Sequence, residues 1–330
     1  MIKRFLVDLL ILQYNAVTEL FTKVVESLKP ICSFRMVLFF LLLFSGTSNL
    51  QTAAASTQLD IFPFYRQDNL IWNKAGLDNF PNILSELKWE NLRTQGIKAV
   101  LKHDLGPRYF LEATGSYGYT YSGTTQDSDY DGDNRTQEYS RSNSNGSGGD
   151  MFDASLSLGW KLQDSKKGKT SLLAGYALNR QYLNVTNYVQ TIPQLGPFPG
   201  VSASYKALWR GPWAGVVHEQ NLNKRLHLTT RLEYHLPDYD GECYWRSRPD
   251  LAQPVTNNHW ASAQGIVASL GIDYVTGPRW ILGAAVDYTN YTTFTGTDQV
   301  NFANGTNAQI RLNEVRWDSW AFRLKATYLF

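Results

Sequence analysis

The chain is poor in cysteine, methionine and charge. Of its 330 residues only 2 are Cys and 3 are Met, and Asp, Glu, Lys and Arg together make up 18%. So few cysteines cannot build the disulfide framework of a small secreted domain. After the N-terminal region no apolar run approaches the roughly 20 residues of a membrane-spanning helix, which excludes a helical membrane protein. The formal net charge is only +2, so a basic nucleic-acid-binding surface is not supported.

One apolar run stands near the N-terminus, at residues 36–44 (MVLFFLLLF). Nine residues are too few to span a bilayer, but they fit the core of a secretory signal peptide. Lys29 and Arg35 precede the run, and residues 53–55 (AAA) offer a small-residue cleavage pattern. We therefore expect a leader with a signal peptide over residues 1–55, with an uncleaved anchor as the alternative.

Residues 56–330 then form a single domain, whichever of Met1 and Met36 begins the chain. The leader holds 5 basic and 3 acidic residues, which leaves 26 of each sign in the domain and no net charge. The small positive charge of the whole chain therefore says nothing about the partners of the domain.

Aromatic residues are abundant, with 10 Trp, 19 Tyr and 16 Phe, and many of them recur at every second position. That period is the period of a β-strand. Residues 320–330 (WAFRLKATYLF) place aromatic and aliphatic side chains on one face and Arg, Lys and Thr mostly on the other, and residues 225–235 repeat the pattern. One face suits lipid and the other a polar interior, although alternation alone would also fit a soluble sandwich.

Connections along the domain alternate between short and long. Short ones are predicted at residues 103–108, 163–169, 221–225 and 275–279. Long ones are predicted at residues 70–81, 124–149, 187–199, 239–259 and 294–315. Tight periplasmic turns and longer external loops are typical of outer-membrane barrels. The pattern predicts an all-β fold, a ten-stranded antiparallel transmembrane up-and-down β-barrel with long extracellular loops.

The placement of aromatic residues supports the same location in the outer membrane. Tyr109, Trp160 and Trp280 lie at the short-turn ends of strands, whereas Tyr119 and Trp317 lie toward the long loops. Two such girdles flank the apolar band of a transmembrane barrel. The chain also ends on Phe330, directly after an alternating strand, which predicts recognition by a barrel-assembly machinery.

Several segments in this order resemble the omptins, a family of ten-stranded outer-membrane barrels that includes surface endoproteases. Residues 85–104 (SELKWENLRTQGIKAVLKHD) are similar to the second strand of that family, residues 205–215 (YKALWRGPWAG) to its sixth, and the ending RLKATYLF also matches. The stretch DSDYDGDNRTQEYSRS is closer to an omptin-like branch from chlamydial outer membranes.

The resemblance implies a proteolytic site but not a complete one. Proteolytic omptins use a pair of Asp residues opposite an Asp–His dyad, in which the His acts as the base. Asp127 and Asp129 match the pair and Asp240 matches the dyad Asp, but Glu242 stands where the His is expected. Outside the motif, His259 and His235 are the candidate replacements in or beside the same loop. A Glu in an exposed loop lacks the desolvation that would raise its pKa to neutral.

The omptin resemblance also implies a site for lipopolysaccharide. Tyr176 and Arg180 match its pattern, with Leu178 in place of an intervening acid, and Arg210 is a further candidate because a guanidinium binds phosphate bidentately. The alternative is that both arginines only solvate strands that extend above the membrane. The expected partners are therefore outer-membrane lipid or lipopolysaccharide.

A calcium-loop pattern overlaps the Asp pair. Asp127, Asp129, Asp131, Gly132 and Glu138 satisfy D-x-[DN]-x-[DN]-G-x5-E, in which alternate carboxylates surround a hard cation. Strands flank this segment where an EF-hand has helices, so the alternative is a solvated acidic loop. No cofactor is expected, apart from this possible Ca²⁺ site.

Three functions follow from these observations. The first is a non-proteolytic surface protein, adhesin-like or structural, which the loss of the His favours. The second is an omptin-type aspartic endopeptidase with an atypical base. The third is a narrow, loop-gated pore, although at ten strands we expect inward side chains such as Arg231, Glu233, Arg323 and Lys325 to fill most of the lumen.

Overall fold

The computed structural model describes residues 57–278 and 280–328. The predicted leader, residues 1–55, and the terminal Phe330 lie outside the described residues. The strands are β1 (Thr57–Lys74), β2 (Ser85–Asp104), β3 (Tyr109–Gly132), β4 (Thr136–Asn145), β5 (Asp150–Ser165), β6 (Gly168–Ile192), β7 (Gly196–Pro197), β8 (Ala203–Asn221), β9 (Leu226–His235), β10 (Asp238–Trp245), β11 (Asn257–Val275), β12 (Trp280–Thr293), β13 (Gly296–Asn301) and β14 (Asn307–Tyr328). Two short 3-10 turns span Leu77–Asn79 and Asp133–Arg135. In this part of the chain no helix is long and apolar enough to cross a membrane.

Ten strands pair antiparallel with their neighbours and close into a ring. Its order is β1, β2, β3, β5, β6, β8, β9, β11, β12 and β14, and β14 pairs with β1 from Phe64↔Arg323 onward. Four further strands extend the ring: β4 and β7 both pair with β6, β10 pairs with β8 and β11, and β13 pairs with β11 and β14. The predicted all-β, ten-stranded antiparallel barrel is therefore confirmed.

The four tight turns lie where the sequence predicts them, between β2 and β3, β5 and β6, β8 and β9, and β11 and β12. The opposite connections are shorter than predicted, because the strands continue into the segments expected to be loops. β3 runs on to Gly132 and β6 to Ile192. Polar residues can continue a strand beyond the bilayer, since the ladder needs only backbone pairing.

The outer surface carries an apolar band on the half of the barrel with the tight turns. Its members are exposed at alternate positions of neighbouring strands. They include Ile97, Tyr109, Tyr117, Leu158, Trp160, Leu172, Tyr176, Leu232, Ile266, Leu270, Trp280, Leu282, Phe322 and Leu324. An outward apolar band bordered by aromatic rings is the lipid-facing surface of a transmembrane barrel.

Inside the same half, the lumen is filled by paired charges, as expected for Arg231, Glu233, Arg323 and Lys325. Arg231 contacts Glu112 at 2.6 Å and also Glu233. The other ion pairs are Arg66 with Asp68 at 2.7 Å and Asp153 at 3.0 Å, Arg323 with Asp287 at 2.7 Å, and Lys325 with Asp273 at 3.1 Å. We call this set the lumen network.

A layer of aromatic residues lies directly above the lumen network, toward the long-loop end. Its fully buried members are Trp72, Trp89, Tyr205, Trp209, Tyr239, Tyr291 and Trp317, packed with Leu70, Leu87, Leu92 and Leu312. Trp209 contacts Tyr239, Tyr291 and Trp317, with ring centroids 4.4 to 6.4 Å apart. These side chains form one hydrophobic cluster inside the barrel, so this level of the interior is a packed core.

Two facing irregularities change which residues of β2 and β3 point inward. Asn91 has φ 53° and Gly123 has φ 155°, and the β2–β3 register shifts beside them. Below this bulge Thr94 and Thr120 are the buried, inward pair, whereas above it Trp89 pairs with Thr125 inside. Inward positions on β3 thus change from even to odd numbers, as a β-bulge requires.

Candidate functional site

The barrel mouth, above the aromatic layer, contains the two aspartates that the sequence singled out. Asp127 and Asp129 lie on the inner face of β3, because the bulge places odd positions inward. Asp129 faces Ser85 on one neighbouring strand, and Asp127 faces Leu87. Both side chains are partly buried, and among the residues that the structure describes the Oδ1 atom of Asp127 has no hydrogen-bond partner.

Burial and mutual repulsion disfavour the charged form of this pair. Burial, together with the charge of Asp129, raises the pKa of Asp127 to about 8, against the opposing influence of Lys74. Burial also raises the pKa of Asp129, although Ser85, Lys74 and Ser140 stabilise its carboxylate. Two neighbouring carboxylates of this kind retain a proton that a solvated aspartate loses well below neutral pH.

A second cluster at the mouth is built on Asp298 of β13, which the sequence analysis missed. Lys74 Nζ contacts Asp298 Oδ2 at 2.8 Å, and Asn257 Nδ2 donates to Asp298 Oδ1 at 2.8 Å. His259 Nε2 lies 3.6 Å from the same carboxylate. Burial alone would raise the pKa of Asp298, but Lys74 and His259 outweigh it and hold the pKa below its usual range. In the sequence nothing distinguishes Asp298 from other loop acids, because the lysine and histidine come from β1 and β11.

His259 therefore has an aspartate partner, but it does not face an open cleft. Its side chain is 0% exposed, as is that of Asp298. Its Nδ1 is hydrogen-bonded to the Tyr205 hydroxyl at 2.8 Å, and its ring packs edge-on against Trp72. A base must reach the proton that it removes, and both ring nitrogens of His259 point at protein atoms. His235 lies deeper, between Glu233 at 2.7 Å and Tyr291 at 2.8 Å.

The structure does not bring the other two predicted catalytic residues to the mouth. Asp240 and Glu242 lie on the outward face of β10, since Tyr239 and Cys243 point inward. Asp240 contacts Arg210 at 2.9 Å, and Glu242 contacts Lys206 at 3.2 Å, both on the outer face of β8. The four-residue constellation that the omptin resemblance implied is therefore not assembled around Asp127 and Asp129.

Strand parity would have revealed this orientation. Leu232 and Tyr234 are even-numbered lipid-facing residues of β9, and the same phase continues through residues 236–237 into β10. Even positions there include Asp240 and Glu242, which must face outward.

The predicted calcium loop is an extended strand. Asp127, Asp129 and Asp131 all lie on β3, which ends at Gly132, so they do not curl around one point. Asp131 is exposed, and Glu138 is held by Arg141. Among the described residues no group of three or more His, Cys, Asp and Glu side chains is arranged to hold a metal ion.

The residues proposed for lipopolysaccharide lie on the outer surface. Tyr176 is exposed in the apolar band. Arg180 sits above it and contacts Asp150 at 2.6 Å, just as Arg210 contacts Asp240. Both guanidinium groups already have a carboxylate partner, so a phosphate would compete with an ion pair at either position. Lipopolysaccharide binding stays a prediction.

The chain is similar to one protein family and to several solved structures. A family model described as Protochlamydia outer membrane protein matches residues 63–330. The outer membrane protease OmpT from Escherichia coli is similar in structure, with a TM-score of 0.69 at 15% identity over 84% of this chain and 99% of that chain. The translocator domain of the autotransporter NalP from Neisseria meningitidis aligns over 90% of this chain and 95% of that chain at 15% identity, with a TM-score of 0.37. No curated protein sequence matches.

These findings confirm the omptin-like resemblance, its chlamydial branch and the outer-membrane location. The likeness to OmpT shows the fold alone at this identity.

Proposed function

The chain belongs to the Protochlamydia outer membrane protein family, and we propose that in the outer membrane it is a non-proteolytic barrel whose long-loop rim is a binding surface. The observation that carries the proposal is the orientation of β10. Asp240 and Glu242 point away from the mouth and form ion pairs with Arg210 and Lys206. Within residues 57–278 and 280–328, the mouth thus has one pair of aspartates and no accessible partner base opposite it.

The filled interior supports a role at the surface over a role in transport. The aromatic layer packs large side chains such as Trp209 and Trp317 inside the barrel, where they are at most 2% exposed. The lumen network adds paired charges to the same interior. A ten-stranded ring has little interior left over once such side chains fill it.

The rim supplies the kind of surface that binds partners. Beyond the apolar band, large apolar side chains stand exposed on two connections: Leu77 is 71%, Phe80 63% and Leu195 63% exposed. Exposed apolar residues on loops held by a rigid scaffold are common in binding sites. They come from two separate connections, which the barrel holds in a fixed arrangement.

The experiment is incubation of the refolded protein with peptides that contain basic residues. We expect no cleavage above the rate of buffer alone. Cleavage that Asp127→Ala and Asp129→Ala abolish would overturn the proposal. A control of Asp131→Ala, on the same strand but exposed, would identify nonspecific loss of activity.

The second candidate, an aspartic endopeptidase, is favoured by one observation. Asp127 and Asp129 face the interior of the mouth, and burial raises the pKa of Asp127 to about 8. A pair that shares one proton can act as both acid and base. The same cleavage assay, with the two Ala variants, separates this candidate from the first.

A further inference from the structure

The β1–β2 hairpin ends below the top of the strand beside it, which leaves the upper edge of β14 open. β1 stops at Lys74, which pairs with Leu312, whereas β14 begins at Asn307, above that level. The last contact between the two segments is a hydrogen bond that the Ala75 amide donates to the Arg311 carbonyl at 2.9 Å. Residues 307–310 of β14 therefore extend beyond β1 along this edge.

The backbone of this edge has hydrogen-bonding groups that point away from β13. Phe302 donates its amide to the Thr306 carbonyl at 2.9 Å, so even-numbered residues at this end of β14 bond to β13 and odd-numbered residues face the opposite edge. From the β1–β2 side, no described residue forms a backbone hydrogen bond with Gln309. Its N–H and C=O groups are therefore those of an unpaired edge strand, which is a template for a further strand.

A cavity of about 430 Å³ lies beside this edge. Gln309, Ile310 and Arg311 form part of its lining, and the 3-10 turn Leu77–Asn79 forms another part. A strand added to β14 would lie about 4.8 Å from it, in the space between the edge and the turn. Leu77 is 71% exposed, so it offers an apolar contact to alternate side chains of such a strand.

Arg311 gives the cavity a cation without an ion-pair partner. Its Nε donates to the Asn313 side chain at 2.8 Å, and no described carboxylate forms an ion pair with its guanidinium group. Asp78, on the turn that lines the cavity, is exposed, so water and salt screen its charge. An acidic side chain on the docked strand, placed next to β14, would therefore complement Arg311.

The β14 edge also lacks the features by which proteins block strand addition. The β13–β14 ladder runs without a register shift, and residues 307–311 contain neither Pro nor Lys. A second edge at the rim, residues 136–140 of β4, has no pairing with β6 but is irregular. Gln137 has φ 55°, and the β3–β4 register shifts beside it. A regular edge accepts a further strand more readily than a bulged one.

We propose that residues 307–311 of β14 bind an extended polypeptide segment of a partner protein by adding it to the sheet as a strand. The segment has apolar residues at alternate positions and an acidic residue that pairs with Arg311. In this mode of binding the backbone supplies affinity and the alternate side chains supply specificity. The proposal rests on the proposed role of the rim as a binding surface and states the kind of partner that it takes.

The probe that tests the inference is the capped synthetic peptide Thr-Val-Thr-Glu-Val-Thr-Val, titrated into isotope-labelled, refolded protein in detergent micelles. The Gln309 amide should exchange rapidly with solvent in the free protein, because it faces the open edge. We expect saturation with peptide to slow this exchange by about tenfold or more, since the amide gains an acceptor. Amide exchange followed by NMR measures it.

Two variants at one position separate backbone recognition from side-chain recognition. Gln309→Pro removes the N–H donor at the edge but no hydrogen bond to β13, and we expect the peptide to bind about tenfold more weakly. Gln309→Ala keeps the donor and is the matched control, with the affinity of the wild type. Fluorescence anisotropy of dye-labelled peptide measures both affinities. Heat-modifiable mobility in detergent gels establishes that each variant is folded.

A substitution of the cation tests the acidic residue of the partner segment. Arg311→Gln should weaken binding of the peptide by about threefold, because a partly exposed ion pair contributes little. Binding of the same peptide with Gln in place of Glu should not change. An equal effect of Arg311→Gln on both peptides would contradict the ion pair.

Three results would overturn the inference. The first is no slowing of Gln309 amide exchange at millimolar peptide, and the second is equal affinity of the Pro and Ala variants. The third is protection of this amide in the protein alone that increases with protein concentration, which would assign the edge to a second copy of the chain. The proposed non-proteolytic function fails separately, through cleavage of peptides with basic residues, which this probe does not contain.

Discussion

The lumen network and the barrel mouth are both polar regions inside one barrel, but they treat charge differently. In the lumen network each of Arg231, Arg66 and Arg323 contacts at least one carboxylate within 3 Å. At the mouth, Asp127 and Asp129 lie side by side, and no described residue forms a hydrogen bond with Asp127 Oδ1. Removing one partner of a buried ion pair is strongly destabilising, because the other charge is left uncompensated. The barrel therefore depends on each partner in the lumen network, whereas burying the two aspartates at the mouth costs free energy of folding.

The largest effect is expected when a matched charge is removed from the lumen network. Arg231→Ala would leave Glu112 and Glu233 buried without their guanidinium partner. We expect the free energy of unfolding to fall by about 3 to 5 kcal/mol, the usual cost of breaking a buried pair. Denaturant unfolding in detergent micelles, followed by Trp fluorescence, measures it. Arg225→Ala, at an exposed turn residue, is the control, and an equal loss there would contradict the comparison.

Removing charge from the mouth should act in the opposite direction. Asp127→Asn keeps the shape of the side chain and removes the repulsion with Asp129. In chelator-treated protein at pH 8 we expect the free energy of unfolding to rise by at least about 1.4 kcal/mol, which is the value of one pKa unit.

The gain in the free energy of unfolding from Asp127→Asn should depend on pH. The pKa of Asp127 is raised in the folded protein to about 8, so between pH of about 4 and about 8 the folded state holds more protons than the unfolded state. Wild-type stability should fall as pH rises through that window, and the gain from Asp127→Asn should grow with it. A gain that is equal at pH 5 and pH 8 would exclude a shared proton at the mouth.

The smallest effect is expected for an ion pair on the outer surface. Arg210→Gln breaks the contact with Asp240, in which both side chains are about one-third exposed. Water solvates the freed aspartate, so the free energy of unfolding should change by less than about 1 kcal/mol. The same micelle unfolding experiment measures the change. A loss of unfolding free energy as large as that of Arg231→Ala would mean that solvent exposure does not weaken the outer ion pair relative to the lumen network.

The fold could be predicted from sequence because its two main signals are local. Alternation depends only on neighbouring residues, and turn sequences such as HDLGPR punctuate it. The ten strands and four tight turns follow from these signals. The extent of the strands beyond the bilayer does not, because polar sequences such as SRSNSN in β4 pair only when β3 and β6 are already in place.

The candidate site was only half predictable, and the phase of each strand explains why. In β9 and β10 the alternation continues unbroken, so the outward position of Asp240 follows from that of Leu232. In β3 the same rule fails. Tyr117 and Tyr119 face lipid at odd positions, and the bulge at Gly123 is what turns Asp127 inward. A single inserted residue on a strand is invisible to periodicity, and contacts from distant strands, such as Lys74 with Asp298, leave no local signal.

The aromatic layer has a consequence for the permeability of the cell envelope. Outer-membrane barrels with open lumens admit small solutes in proportion to their number, so a cell that makes more of them also becomes leakier. Trp72, Trp209 and Trp317 pack together inside this barrel, so under the proposed surface role we expect it to add little to that leak. A cell could then carry many copies of the protein at its surface without a matching rise in permeability, which the conductance of planar bilayers containing the protein would measure.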